Sequence, residues 1–158
     1  MEIDLAKAVD WNDSYAGREA YIGNVMKDNG YTWLGTGRHR MTYLSPNKRF
    51  VLKFPTCCYG IQISKREDAL WSMFHWEPTP NGTYVAPCRM IGGVILMMRA
   101  MVELYGDSDS CDIGREVLGQ SSCDSKHEIP SWAERLDCGQ VGRLANGRIV
   151  AYDFGSDG

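Results

Sequence analysis

The chain has 158 residues, a formal net charge of -3, a 44% hydrophobic share and a 23% charged share, which suits one globular domain with its own core. Five tryptophans and eight tyrosines argue against disorder, because each brings a large apolar area that favours burial. There is no basic excess of the kind a general nucleic-acid binder shows, and the longest apolar stretch, around Val94 to Met98, is far too short to span a bilayer.

Met1 is followed by acidic, amphipathic sequence rather than a basic start and an apolar run, so no secretory signal is expected. Cysteines stand at 57, 58, 88, 111, 123 and 138, with no C-x-x-C spacing. They are expected to be reduced thiols in a cytoplasmic protein. The sequon Asn81-Gly82-Thr83 then marks only a turn. His39, His75 and His127 are scattered, without the spacing of a metal site.

Residues 2 to 9 and 15 to 28 are predicted helices. In the second, Tyr15, Tyr21, Ile22, Val25 and Met26 recur at helical spacing; Ser14 is the expected N-cap, and Asn29-Gly30 the stop. From Tyr31 the pattern changes to short strands: Tyr31 to Leu34, Met41 to Leu44, and Arg49 to Phe54 after a turn at Ser45-Pro46-Asn47-Lys48. These read as an antiparallel meander. Gly60 to Phe74 is a predicted helix with Ile61, Ala69, Leu70 and Phe74 inward. A Pro-rich loop from His75 to Gly82 precedes two strands, Thr83 to Met90 and Gly93 to Met98. Met101 to Arg135 is mixed, with short helices expected at Asp112 to Leu118 and Ser131 to Leu136. Val141 to Tyr152 is a predicted hairpin turned by Asn146-Gly147, a sequence that favours a two-residue loop.

Four places carry chemistry. Gly35 and Gly37, one residue apart between two strands, let the backbone turn sharply and approach a phosphate closely; a plain glycine-containing hairpin is the competing reading. Lys53 lies in the apolar run Val51-Leu52-Lys53-Phe54, where burial is costly without a partner; an edge-strand lysine in solvent is the alternative. Ile95 to Met101 runs from a buried strand into a loop, where Met98 or Met101 could line a pocket or simply fill core. Asp153 ends a short strand beside a flexible glycine and is well placed to bind Mg²⁺ with an open coordination sphere.

In order, these features are a glycine-rich hairpin, a strand lysine, a glutamate (Glu67) on the next helix, an apolar strand into a connecting segment, a polar loop, a hairpin and Asp153-Phe154-Gly155. Over roughly residues 31 to 155 the chain resembles the protein-kinase superfamily, which includes aminoglycoside-phosphotransferase-like and small bacteriophage-type kinases. The loop from Leu34 to Tyr43 and the run from Asn146 to Asp153 look most like the bacteriophage type. The resemblance implies an α+β fold: a kinase-like N-lobe of a five-stranded antiparallel sheet plus one αC-like helix, with a truncated C-lobe. It implies a single domain over 1–158, divided into a helical N-terminal extension (1–30), the N-lobe (31–100) and the truncated C-lobe (101–158). It also implies ATP and Mg²⁺ as cofactors. Gly35 and Gly37 would cover the phosphates, Lys53 would hold them, and Glu67 would orient Lys53. Asp153 and Gln140 would bind the metal, with Asp137 as the catalytic base.

The chain departs from that pattern in four respects. Arg40 stands where the loop has its third glycine, and Gln140 where the family has a metal-binding asparagine. Arg135 occupies the position of the base five residues earlier, so Asp137, three residues before Gln140, could act only in a shortened loop. The sequence stops three residues after Gly155, without an activation segment or Ala-Pro-Glu. Two functions follow: an ATP–Mg²⁺-dependent phosphotransferase acting on a protein, or a catalytically degenerate pseudokinase that binds and inhibits a host protein. For the second, Trp71, Trp76 and Trp132 could form an exposed aromatic face. An unrelated α+β domain with a chance Asp-Phe-Gly is the third reading.

Overall fold

A computed structural model describes residues 2–76, 83–105 and 140–153. Asp137, Phe154, Gly155, Trp132 and the two short helices expected between 112 and 136 lie outside the described residues. No helix among the described residues is long and apolar enough to cross a membrane. The chain divides into two compact units, Met1–Asp68 with Cys88–Ala100, and Ala69–Pro87 with Met101–Gly158.

The first unit is α+β. Helices α1 (Leu5–Ala8) and α2 (Tyr15–Asp28) lead into strands β1 (Thr32–Thr36), β2 (Arg40–Leu44) and β3 (Phe50–Pro55). Helix α3 (Cys58–Phe74) follows and passes out of this unit beyond Asp68. Strands β5 (Cys88–Ile91) and β6 (Ile95–Arg99) complete a five-stranded sheet in the order β1-β2-β3-β6-β5, antiparallel at every pairing.

The local chemistry explains the boundaries. Asp4 caps α1, its Oδ1 accepting from Ala6 N at 3.0 Å, and Ser14 caps α2, its Oγ accepting from Gly17 N at 3.0 Å. Asn29 caps the C-terminus of α2; Gly30 takes the left-handed conformation (φ 74°), and Tyr31 N donates back to Met26 O at 3.0 Å. The β2–β3 turn is organised by Ser45, whose buried hydroxyl accepts from Arg49 N and Phe50 N.

Strand β3 is central and buried along most of its length, so the strand alternation sends successive side chains into two different layers. Leu52 and Phe54 join Met41 and Tyr43 of β2, Ile95, and Ala8, Ile22 and Met26 of the two N-terminal helices in one core. Tyr43 and Phe54 meet edge to face at 5.8 Å. Each large side chain buried here contributes about 1.5–3 kcal/mol. The N-terminal helices thus supply core of the first unit. On the opposite face, α3 presents Gly60, Ile63, Ser64 and Glu67 as its buried stripe, a spacing of one helical face. Ile61 is only half-buried and Ala69 is exposed, so the inward face is rotated from the expected one.

The second unit holds β4 (Tyr84–Val85), β7 (Glu103–Tyr105), β8 (Val141–Arg143) and β9 (Ile149–Ala151), in the order β4-β9-β8-β7. Its β4–β9 pairing is parallel. The strand expected from Thr83 to Met90 is therefore two strands in two sheets. The break falls at Ala86-Pro87, where proline lacks the N–H a central strand would donate. The β8–β9 hairpin also differs from expectation. Leu144 N donates to Arg148 O and Gly147 N to Leu144 O, which makes a three-residue loop. Gly147 takes φ 83° while Asn146 is not in the left-handed region, so the turn is of the bulged kind rather than a two-residue one.

Candidate functional site

The site is built around β3, where a lysine interrupts an otherwise apolar strand. Its neighbours in register are Thr42 on β2 and Leu96 on β6. Lys53 is 5% exposed, so it is not the solvent-facing edge lysine that the sequence alone allows. A buried ammonium costs several kcal/mol unless an acid and hydrogen bonds compensate it.

The acid comes from α3. Glu67 is fully buried, and Lys53 Nζ lies 3.6 Å from its Oε2. A second cation reaches the same carboxylate. Arg40, the first residue of β2 and 8% exposed, donates from Nη1 to Glu67 Oε2 at 2.6 Å and from Nη2 to Oε1 at 2.9 Å. Arg40 pairs with Pro55 and Thr42 with Lys53 in the β2–β3 register, so the alternation puts Arg40 and Lys53 on the α3 side of the sheet. Sequence reasoning brought Lys53 and Glu67 forward but missed Arg40. The alternation with Met41 and Tyr43 sets Arg40 on the other face of β2, but only the register with β3 and the packing of α3 give it Glu67 as a partner.

Three contacts hold α3 where Glu67 can meet these cations. Gly60 lies so close to the His39 carbonyl and to Pro55 that a side chain would not fit. Asp68, one residue after Glu67 and turned away from it, accepts from Met90 N of β5 at 3.0 Å. The Cys88 thiol lies 3.5 Å from Glu67 O, and burial first, then the charge of Glu67, pushes that thiol up out of the reactive range.

The glycine-containing loop sits between β1 and β2. Gly37 N donates to Arg40 O at 2.9 Å, and a β-bulge falls between Trp33 and Gly35. The loop is tied to the segment after β3 by Thr56 N donating to His39 O and Thr56 Oγ1 to Arg38 O, and His39 packs edge-on against Tyr59 at 4.9 Å. Neither Gly35 nor Gly37 is among the glycines with left-handed backbone. A methyl at Gly35 would meet open space, and one at Gly37 only ordinary contact with Arg40 O. The fold itself therefore does not require glycine at either position.

In the second unit, Gln140 immediately precedes β8 and Asp153 follows β9. Tyr152 N donates to Gln140 O at 2.9 Å, which brings the two flanks of the hairpin together. Both residues are partly exposed. Burial, with the nearby Asp153 charge, raises the Tyr152 hydroxyl above its ordinary value. An amide oxygen and a carboxylate are hard donors of the kind Mg²⁺ takes, and two of them would leave positions for phosphate oxygens. Among the described residues, no three His, Cys, Asp or Glu side chains gather as a metal-binding group.

Met98 is buried opposite Val51 and Met101 half-buried. Trp71, His75 and Trp76 form a ring cluster at the end of α3, with centroids 4.8 and 4.2 Å apart, and Trp76 is largely exposed. No family model matches the chain, and no curated protein matches it.

Proposed function

We propose that this chain is a protein-kinase-like protein that binds ATP with Mg²⁺. The observation that carries this reading is the buried Lys53–Glu67 ion pair, which joins the central strand of an antiparallel sheet to the helix that follows. Two glycines the fold does not need stand in the adjoining hairpin, where the absence of side chains would let backbone amides approach phosphate oxygens. In this reading residues 31–100 serve as the N-lobe and 101–158 belong to the C-lobe. Lys53 pairs with the nucleotide phosphates and Glu67 keeps it in place. Gln140 and Asp153 would hold Mg²⁺, which when bound neutralises charge on the phosphates.

The reaction such an arrangement serves is transfer of the terminal phosphoryl group to a protein hydroxyl. The hydroxyl oxygen forms the new bond to phosphorus, the bond to ADP breaks, and the hydroxyl proton passes to a base, for which Asp137 is the candidate. Phosphoryl transfer depends mainly on positioning and charge stabilisation.

The test is direct. ATP–Mg²⁺ should raise the melting temperature of the wild-type chain, since binding the folded state must do so, and Lys53→Ala and Asp153→Ala should each remove that rise. Transfer of labelled phosphate from ATP, lost in the same variants, would assign the enzyme. Binding without transfer would assign a catalytically silent nucleotide binder, and recovery of a partner by pull-down from host lysate would be needed to give it a host protein. A wild-type chain with neither a shift nor transfer would refute the nucleotide reading.

A further inference from the structure

Arg40 and Lys53 address one oxygen of Glu67, and they do so unequally. The guanidinium makes two parallel charged hydrogen bonds, at 2.6 Å to Oε2 and 2.9 Å to Oε1. Lys53 Nζ stands 3.6 Å from Oε2, beyond hydrogen-bond distance though well within reach of its charge. A planar fork matches a carboxylate better than a point ammonium does, so the arginine takes both oxygens.

We propose that Arg40 is a positioning residue of the nucleotide site, acting through Glu67. The proposal rests on the ATP–Mg²⁺ reading and adds to it a residue that the glycine-loop pattern does not predict. Arg40 anchors Glu67 and hence this turn of α3. The anchored carboxylate then holds the Lys53 ammonium by charge while making no hydrogen-bond claim on it. An anionic phosphate oxygen can draw on Lys53 without first breaking a direct Lys53–Glu67 bond. Without the fork, the lysine would close on Oε2, and the acid that should place it would instead compete with the phosphate.

The location supports a role beyond stability. Arg40 opens β2, three residues after Gly37, and its own backbone carbonyl accepts from Gly37 N. One residue therefore ties the loop, the helix glutamate and, through that glutamate, the strand lysine. Gly60 beneath His39 limits the start of α3, Asp68 and Cys88 hold its backbone beside Glu67, and Arg40 adds the hold on the carboxylate itself.

Two measurements on the full chain test this, and they fail separately. The first needs no nucleotide: thermal double-mutant cycles with Arg40→Lys, Lys53→Met and Glu67→Gln. The Arg40–Glu67 coupling should exceed the Lys53–Glu67 coupling; an equal or reversed order overturns the assignment of Arg40 as the anchor. Arg40→Lys keeps the charge and loses only the fork, so it is the variant that tests the role in a folded protein. The second is the affinity for ADP–Mg²⁺ by calorimetry. Arg40→Lys should bind about tenfold more weakly, the worth of one hydrogen bond to a charged group, and should cause no further loss in a Glu67→Gln background. Wild-type affinity in Arg40→Lys, or a loss that persists undiminished without Glu67, overturns the positioning role. If the wild type binds no ADP–Mg²⁺, the nucleotide reading and the positioning role fall together, while the stability cycles still decide whether Arg40 anchors Glu67.

Discussion

Substituting Glu67 with glutamine tests the energetic centre of the first unit with almost no change of volume. The carboxylate is fully buried and accepts from both Arg40 nitrogens, with Lys53 3.6 Å away. An amide in its place offers one acceptor oxygen, and its NH₂ would face a guanidinium or ammonium donor. Two cations would stay in a buried setting with no neutralising charge from this side chain. Removing one partner from a buried ion pair costs about 3–5 kcal/mol. For a chain of this size each kcal/mol moves the melting temperature by roughly 2–4 °C, so Glu67→Gln should melt about 6–20 °C below wild type. Thermal unfolding followed by circular dichroism, with a urea titration at fixed temperature, measures it. The control replaces the trio together, Arg40→Met, Lys53→Met and Glu67→Leu, and should recover most of the loss, because desolvation no longer has to be repaid. A Glu67→Gln protein within about 1 kcal/mol of wild type, the range of an exposed pair, would refute the buried-trio account.

Gly60→Ala places a methyl against the His39 carbonyl and the Pro55 backbone, neither of which can rotate away. It should cost about 1–3 kcal/mol by overpacking and be visible as a lower urea midpoint; a neutral effect would mean α3 is free to move. Alkaline pH should unfold the chain through its buried acids. Burial holds the Cys88 thiol above its ordinary 9.0 and the Tyr43, Tyr31 and Tyr152 hydroxyls above 10.0. Their contribution is whole below those values and is lost as pH rises through them toward the higher native ones. Urea midpoints should therefore stay level to about pH 9 and fall beyond it. Cys88→Ala should delay the onset, and a midpoint that rises above pH 10 would contradict the sign.

Much of the first unit was legible in the chain because its signals are local. Ser14 and Asn29-Gly30 bracket α2 where capping chemistry places them. The alternation in Met41 to Leu44 and the apolar run of β3 give strands of the right type. The single strand expected from Thr83 to Met90 failed because strand propensity cannot say which sheet a segment joins. Tyr84 and Val85 pair with β9, far along the chain, while Cys88 to Ile91 pair with β6. Pro87 marked the division and was outweighed by the β-rich residues around it. Lys53 could be singled out because an ammonium in an apolar run demands a partner. Arg40 could not, because its partner follows from the β2–β3 register and from the rotation of α3, and neither is written in the residues near it.

The same contrast between local and non-local demands bears on Gly35 and Gly37. Glycine is held by a fold where backbone angle or crowding excludes a side chain, as at Gly30 and Gly60. Gly35 and Gly37 meet neither condition. Alanine at these positions should leave stability unchanged or raise it by about 0.4–1 kcal/mol, because it narrows the unfolded ensemble. If the two glycines are there for a phosphate, each alanine should still weaken ADP–Mg²⁺ binding, since a Cβ stands between backbone amide and ligand. Melting curves with and without the nucleotide separate the two effects in one experiment. Variants as stable as wild type with a smaller nucleotide-induced shift would show a loop shaped by its ligand. Variants with an undiminished shift would return this loop to an ordinary hairpin and leave the Arg40–Glu67–Lys53 trio as a feature of the core.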